Sequence, residues 1–268
     1  MVDRNAGVPA GLWTRCERCE HMLYEKEVAE ALHVCPECGY HRRIDARTRI
    51  EQLVDPDTFE EFAADLRSTD PLKFKDRIPY KERLKREESK TGEQEAVVVG
   101  KAFVRGRAVV LAVMNPKFIM ASMGAVVGEK ITRAVEKAVE DNLPLVIVTA
   151  SGGARMQEGM VSLVQMAKTS AAIARLDDAR GLYIVVAADP TTAGVAASFA
   201  SLGDFILAEP GAMIGFAGPR VIQNTINAEL PEGFQTAEFM LDHGFVDRIV
   251  PRADLRREIA RIIDYCDR

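Results

Sequence analysis

The groups able to do chemistry in this sequence are backbone amides more than side chains. Leu145-Val146-Ile147-Val148-Thr149-Ala150 is an apolar, β-rich run that stops at Ser151-Gly152-Gly153, and Ala154-Arg155-Met156-Gln157-Glu158 then reads as the start of a helix. Leu182–Ala188 repeats the pattern. It stops at Asp189-Pro190-Thr191-Thr192-Ala193-Gly194, ahead of a small-residue helix over Val195–Leu202. A strand that breaks at glycine into a helix leaves N–H groups unshielded by any Cβ, with the positive end of the helix dipole behind them. Such groups bind an anion or a developing oxyanion. No acid, base or nucleophile accompanies them. Ser151 lacks the Gly-x-Ser-x-Gly surroundings of a hydrolase elbow, and only His243 shares its half of the chain. The glycines match neither a dinucleotide fingerprint nor a Walker loop.

A second constellation lies near the start. Cys16-x-x-Cys19 and Cys35-x-x-Cys38 form two knuckles that together complete a tetrahedral shell of four cysteines, expected to hold one structural zinc ion. With four thiolates in place, no position is left for an attacking water. Two disulfides or a redox pair are the competing readings, and doubled knuckles favour the metal. The histidines beside them, His21, His33 and His41, are expected at the surface. The basic cluster of Arg42, Arg43, Arg47 and Arg49 is read as a solvated helix face, with phosphate or RNA contact as the alternative.

Three stretches must position these groups. Residues 1–45 form a tail and a ribbon too small for a core of its own, so the metal must hold it together. Residues 46–95 read as a charged helical bridge lying over a neighbour. Residues 96–268 carry strands alternating with helices, an α/β pattern. Arg105-Gly106 joins two strands as a hairpin. Val127, Ile131, Val135, Ala138 and Val139 then mark an amphipathic helix from Gly124 to Asn142. Stacked strand–turn–helix units would bring both glycine turns to one end of the domain.

The chain of 268 residues, 47% of them hydrophobic, is long enough for one substantial core. A net charge of −5 argues against a dedicated nucleic-acid binder. No apolar run reaches membrane-spanning length and no signal pattern opens the chain, so a reduced, cytoplasmic setting without a membrane is expected.

The cysteine ribbon, Ser122-Met123-Gly124-x-Val126-Val127-Gly128-Glu129-Lys130, Ser151-Gly152-Gly153-Ala154-Arg155-Met156-Gln157-Glu158, Asp189-Pro190-Thr191 and Ile214-Gly215-Phe216-Ala217-Gly218-Pro219-Arg220 occur in order. Together they closely resemble the β subunits of bacterial acetyl-CoA carboxylase carboxyltransferase. The resemblance implies an α/β fold, a ClpP/crotonase-like spiral of ββα units, behind an N-terminal four-cysteine zinc ribbon. It implies transfer of a carboxyl group from carboxybiotin on a carrier protein to acetyl-CoA, giving malonyl-CoA for fatty-acid synthesis. The implied partners are an α subunit of similar fold in an α2β2 heterotetramer, the biotin carboxyl carrier protein and biotin carboxylase. On this reading Gly152, Gly153, Ala193 and Gly194 donate to two oxyanions, the assignment of each pair staying open. Arg155 steers a carboxylate or forms a structural ion pair. Gly124, Gly128, Lys130 and Arg220 are the candidates for contact with CoA or biotin. The family usually has paired glycines where this chain has Ala193-Gly194. A carboxyltransferase or decarboxylase for another acyl-CoA is the alternative, and a zinc-ribbon RNA-binding regulator is the alternative of another class.

Overall fold

A computed structural model describes residues 12–218, 222, 225 and 230–267. Arg220 and the helix expected to run into Asn227 lie outside the described residues. The ribbon pairs β1 (Trp13–Arg15) with β2 (Met22–Tyr24) and adds α1 (Glu25–Glu30). After α2 (Ala46–Leu53), the short strand β3 (Glu60–Glu61) and α3 (Tyr80–Thr91), the chain enters its main sheet with β4 (Val97–Val104) and β5 (Arg107–Met114). The hairpin between them is expected from its residues. Arg105 and Gly106 both take positive φ, +50° and +79°, as a tight primed turn requires.

Then follow α4 (Ala125–Asp141), β6 (Leu145–Ser151), α5 (Met160–Asp178), β7 (Tyr183–Thr192), α6 (Ala193–Ala196), β8 (Phe205–Ala208), β9 (Ile214–Gly215), α7 (Ala237–Asp242), β10 (Arg248–Ile249) and α8 (Leu255–Tyr265). The sheet order is β10-β8-β7-β6-β5-β4-β3, with β9 also pairing with β7. From β5 to β10 the pairs are parallel, so both faces must be covered. Alternation along each strand does this. Leu145 and Ile147 pack with Val127, Ile131 and Ile173 on one face. Val146 and Val148 pack with Ile50, Ile259 and Ile263 on the other. Because β6 and β7 are parallel neighbours, with Ser151 opposite Thr191, their carboxyl ends bring the two glycine turns together. Open parallel sheets place ligands at such ends.

Three expectations are corrected. The helix after the first turn begins at Met160 and not at Ala154: Ala154 instead pairs with Met123 as a parallel bridge, and a 3-10 turn at Met156–Glu158 follows. The second strand continues through Thr192, and the expected helix over Val195–Leu202 is replaced by α6 and a 3-10 turn at Phe199–Ser201. Nor is the 46–95 segment simply an exposed bridge. Tyr80 and Leu84 join the main core, and Glu95 and Arg49 are buried.

Arg49 belongs to the joint between ribbon and sheet. Glu209, 1% exposed, accepts from Arg49 Nη1 at 2.6 Å and from Arg252 Nε and Nη2 at 2.7 and 2.8 Å. Arg252 in turn donates to the carbonyls of Leu32 and Arg42 in the ribbon segment. His41 is not at the surface as expected: its Nε2 accepts from the Arg252 N–H and its Nδ1 donates to Gly39 O. Burial alone would raise the Glu209 carboxyl, but Arg49 and Arg252 pull it down to about 2. A carboxyl depressed on folding stabilises above its ordinary range, and that contribution is lost as pH falls towards 2. Glu209→Ala would leave two buried guanidinium groups without a counter-ion, costing about 3–5 kcal/mol. The expected result is a melting temperature lower by on the order of 10 °C in a scan at neutral pH.

Candidate active site

The first turn is held from one side by residues 119–123. Ile119, Met120 and Ala121 all take left-handed φ, +44°, +55° and +49°, and this unusual run aims successive carbonyls at the turn. Gly152 N–H donates to Met120 O at 2.9 Å, Ser151 Oγ to Ala121 O at 2.6 Å, and Arg155 N–H to Met123 O at 2.9 Å. Gly153 N–H donates to Ser151 Oγ at 3.0 Å. The amides of Gly152 and Gly153 are therefore already engaged, which corrects their expected role as the donors. Ser151, fully buried with its hydroxyl bonded on both sides, is no nucleophile. Among the described residues no internal acceptor meets the next amide, that of Ala154.

The second turn meets the first at this point. Gly153 has φ +108°, and a Cβ on it would lie 2.5 Å from Ala193 Cβ and 3.4 Å from Gly194 N. A Cβ on Gly194 would lie 3.5 Å from Ala154 N. Thr192 is the residue before α6 and a type suited to capping it, but its hydroxyl donates to Ser151 O instead. The first amides of α6 are left without a side-chain cap. Ala193 itself adopts φ +52°, a conformation that suits glycine better. The two turns thus meet where Gly153 and Ala154 lie against Ala193 and Gly194.

Arg155 does not reach that pocket with its side chain. Its guanidinium is 0% exposed and faces Glu95, with Nη2 to Oε1 at 2.5 Å and Nη1 to Oε2 at 3.0 Å. The structural ion pair is the reading that holds, and carboxylate steering is not supported. The other CoA candidates are corrected as well. The space beside Gly124 is filled by the Glu158 carboxylate and that beside Gly128 by Gln165. Lys130, 2% exposed, points its Nζ at Val97 O at 3.2 Å, and burial lowers its pKa. The side-chain space at all three positions is taken up by packing around helix α4. Glu95 and Tyr80 had no signal in the sequence, since their partner Arg155 is distant along the chain.

The ribbon answers to its cysteines. Their sulfurs lie within 4.8 Å of one another, with Cys16 to Cys38 at 3.7 Å and Cys19 to Cys35 at 3.9 Å. Metal–sulfur bonds of about 2.3 Å in a tetrahedron require sulfur–sulfur edges of about 3.8 Å, whereas a disulfide needs about 2.05 Å. The set therefore fits zinc and excludes disulfides. Each knuckle closes with the amides of Glu20 and Gly39 bonded back to Cys16 O and Cys35 O. Cys35→Ala is expected to release the metal and unfold the ribbon while the α/β core keeps its helical signal. Metal analysis and far-UV dichroism on the same sample check both halves; a variant that retains one zinc per chain contradicts the ligand set.

The basic cluster beside the ribbon is neutralised internally. Arg42 meets Glu25, Arg43 meets Asp189, Arg47 meets Glu61 and Glu93, and Arg49 meets Glu209. No described helix is long and apolar enough to cross a membrane.

Comparison with known proteins agrees with this geometry. The carboxyl transferase domain family matches residues 42–252, and the acetyl-CoA carboxylase zinc finger domain matches residues 13–38. The acetyl-coenzyme A carboxylase carboxyl transferase subunit beta of Rhodopirellula baltica is 54% identical over 265 residues, covering 98% of this chain and 85% of its own. Among solved structures, a transcarboxylase 12S superposes with a TM-score of 0.69 at 23% identity, over 89% of this chain and 42% of that one. A Pseudomonas malonate decarboxylase hetero-tetramer follows with 0.68 at 24%, over 89% and 87%. These last two likenesses bear on the fold.

Proposed function

The chain belongs to the carboxyl transferase family as a β subunit of the acetyl-CoA carboxylase type, and from that premise we propose how its two turns act. The observation that carries the reading is the packing of Gly153 against Ala193 and Gly194; on this reading the Ala154 and α6 amides serve one oxyanion. A thioester methyl is a weak acid, and its conjugate base places negative charge on the thioester oxygen. Two preorganised N–H groups directed at that oxygen supply about 3 kcal/mol each. The acetyl group of acetyl-CoA is therefore activated here as an enolate, which attacks CO2 released from carboxybiotin on a carrier protein to form malonyl-CoA. The ureido nitrogen freed by that release takes the methyl proton. This accounts for a pocket whose described polar side chains are already paired within the chain.

CO2 release places a second negative charge on the biotin ureido oxygen, and that charge needs donors of its own. One pocket cannot serve both. The second set belongs to the α subunit, in an α2β2 assembly supplied by the biotin carboxyl carrier protein and biotin carboxylase in the cytoplasm. A patch of Met120, Met156, Met160, Leu163 and Val164, all exposed beside the first turn, suits a protein partner. The paired arginines of the ribbon junction weigh against the RNA-binding alternative. Ala154→Pro removes the amide and fills the pocket with Cδ. Turnover of the complex is expected to fall at least about 100-fold. Wild-type turnover in a folded Ala154→Pro complex would end this reading.

A further inference from the structure

The residues around the Ala154 amide form a hydrogen-bonded network reaching into a segment with no evident link to the chemistry. Arg155 follows that amide directly. Its guanidinium is gripped by Glu95, and it also donates to Ser122 O at 2.8 Å, to Ser122 Oγ at 3.2 Å and to Tyr80 Oη at 3.1 Å. Glu95 accepts in addition from Ala96 N–H at 2.7 Å and from the Ser68 hydroxyl. Glu158, one turn further on, accepts from Tyr80 Oη at 2.6 Å and, through Oε2, from Ala125 N–H at the start of α4, also at 2.6 Å. Glu95 and Arg155 are both 0% exposed.

We propose that Glu95, acting through Arg155, is a positioning residue that fixes the Ala154 amide against the start of α6. The inference rests on the donor pocket described above. The physical ground is geometric. A bidentate guanidinium–carboxylate pair fixes orientation as well as distance, because two parallel bonds define a plane. Arg155 is thereby held at its side chain by Glu95 and Ser122, and at its amide by Met123 O. With both points fixed, the Ala154–Arg155 peptide plane has little freedom to swing, and the plane before it, which carries the Ala154 N–H, is held by Gly153 O accepting from Met123 N–H at 2.7 Å. Catalytic donors must keep their aim to a fraction of an ångström, and a misplacement of about 1 Å costs on the order of 100-fold in rate. The Glu95–Arg155 pair is fully buried and bonded within the chain, so it acts on turnover and not on affinity.

Glu95→Gln keeps the shape and removes the charge and one acceptor. Assayed in the complex with the partner subunit, it is expected to lower kcat by about 10- to 100-fold while KM for acetyl-CoA changes less than about two-fold. Ile263→Ala, in the core on the opposite face of the sheet, serves as the stability control. It lowers the melting temperature without a matching loss of kcat. If Glu95→Gln fails to assemble, Arg155→Lys carries the test, since it keeps the charge and loses the fork. The proposal is overturned if the assembled variant retains wild-type kcat, or if its kcat falls only as far as that of Ile263→Ala. Ala154→Pro separates the donor pocket from its positioning. An active Ala154→Pro complex removes the donor pocket itself, whereas an inactive one beside a fully active Glu95→Gln removes the positioning role alone.

Discussion

Gly153→Val is expected to abolish most carboxyl transfer, with kcat lower by about 100- to 1,000-fold and binding of acetyl-CoA nearly unchanged. Two effects act together at this position. The backbone stands at φ +108°, which a β-branched residue does not adopt, and the first added carbon would sit 2.5 Å from Ala193 Cβ. Neither neighbour can yield easily. Ala193 opens α6, and the 151–155 strip is bonded to the carbonyls of residues 120–123. The turns must therefore separate, and the Ala154 and α6 amides lose their common focus. An interaction made with a developing oxyanion is lost from kcat in preference to substrate affinity. Steady-state kinetics in the complex, with dichroism to confirm folding, check this. A folded variant with wild-type kcat would show that the contact between the turns is not the catalytic device.

Much of this arrangement was legible in the residues. Leu145–Ala150 reads as a strand buried on both faces, and the sheet places it between β5 and β7. The cysteine spacing gives a metal site because local geometry alone brings each pair together, and the sulfur distances agree. What the sequence hides is long-range. Three consecutive left-handed residues without a glycine, Ile119-Met120-Ala121, carry no compositional mark. Yet their carbonyls take the Gly152 amide and the Ser151 hydroxyl and so order the turn. Arg155 looks like a ligand-binding cation until Glu95, sixty positions away, is seen beside it. Lys130 misleads in the same way. A basic residue near a glycine-containing helix start suggests a phosphate contact, but its helical phase turns it inward to Val97 O. Burial of charge is decided by pairing across the fold, and pairing is not periodic.

The larger expected effect concerns the whole enzyme. On the proposed reading, this chain without the α subunit offers one donor pocket for a reaction that develops negative charge on two separate oxygens. The apolar patch beside the first turn supplies the place for the missing half. Met160 is 71% exposed and Leu163 50%, on the solvent side of α5. An exposed helix face of this kind, lying next to a catalytic turn, gives a partner a surface from which to close the site against water.

The most direct measurement is a titration of purified α subunit into a fixed amount of this chain, followed by malonyl-CoA decarboxylation with a biotin analogue. Activity is predicted to start near zero, to rise in proportion to added α and to saturate at a fixed ratio. Met160→Glu is predicted to shift the midpoint to higher α concentration without changing the plateau. Full activity of this chain before any α is added would contradict the account, since one pocket would then serve both oxyanions.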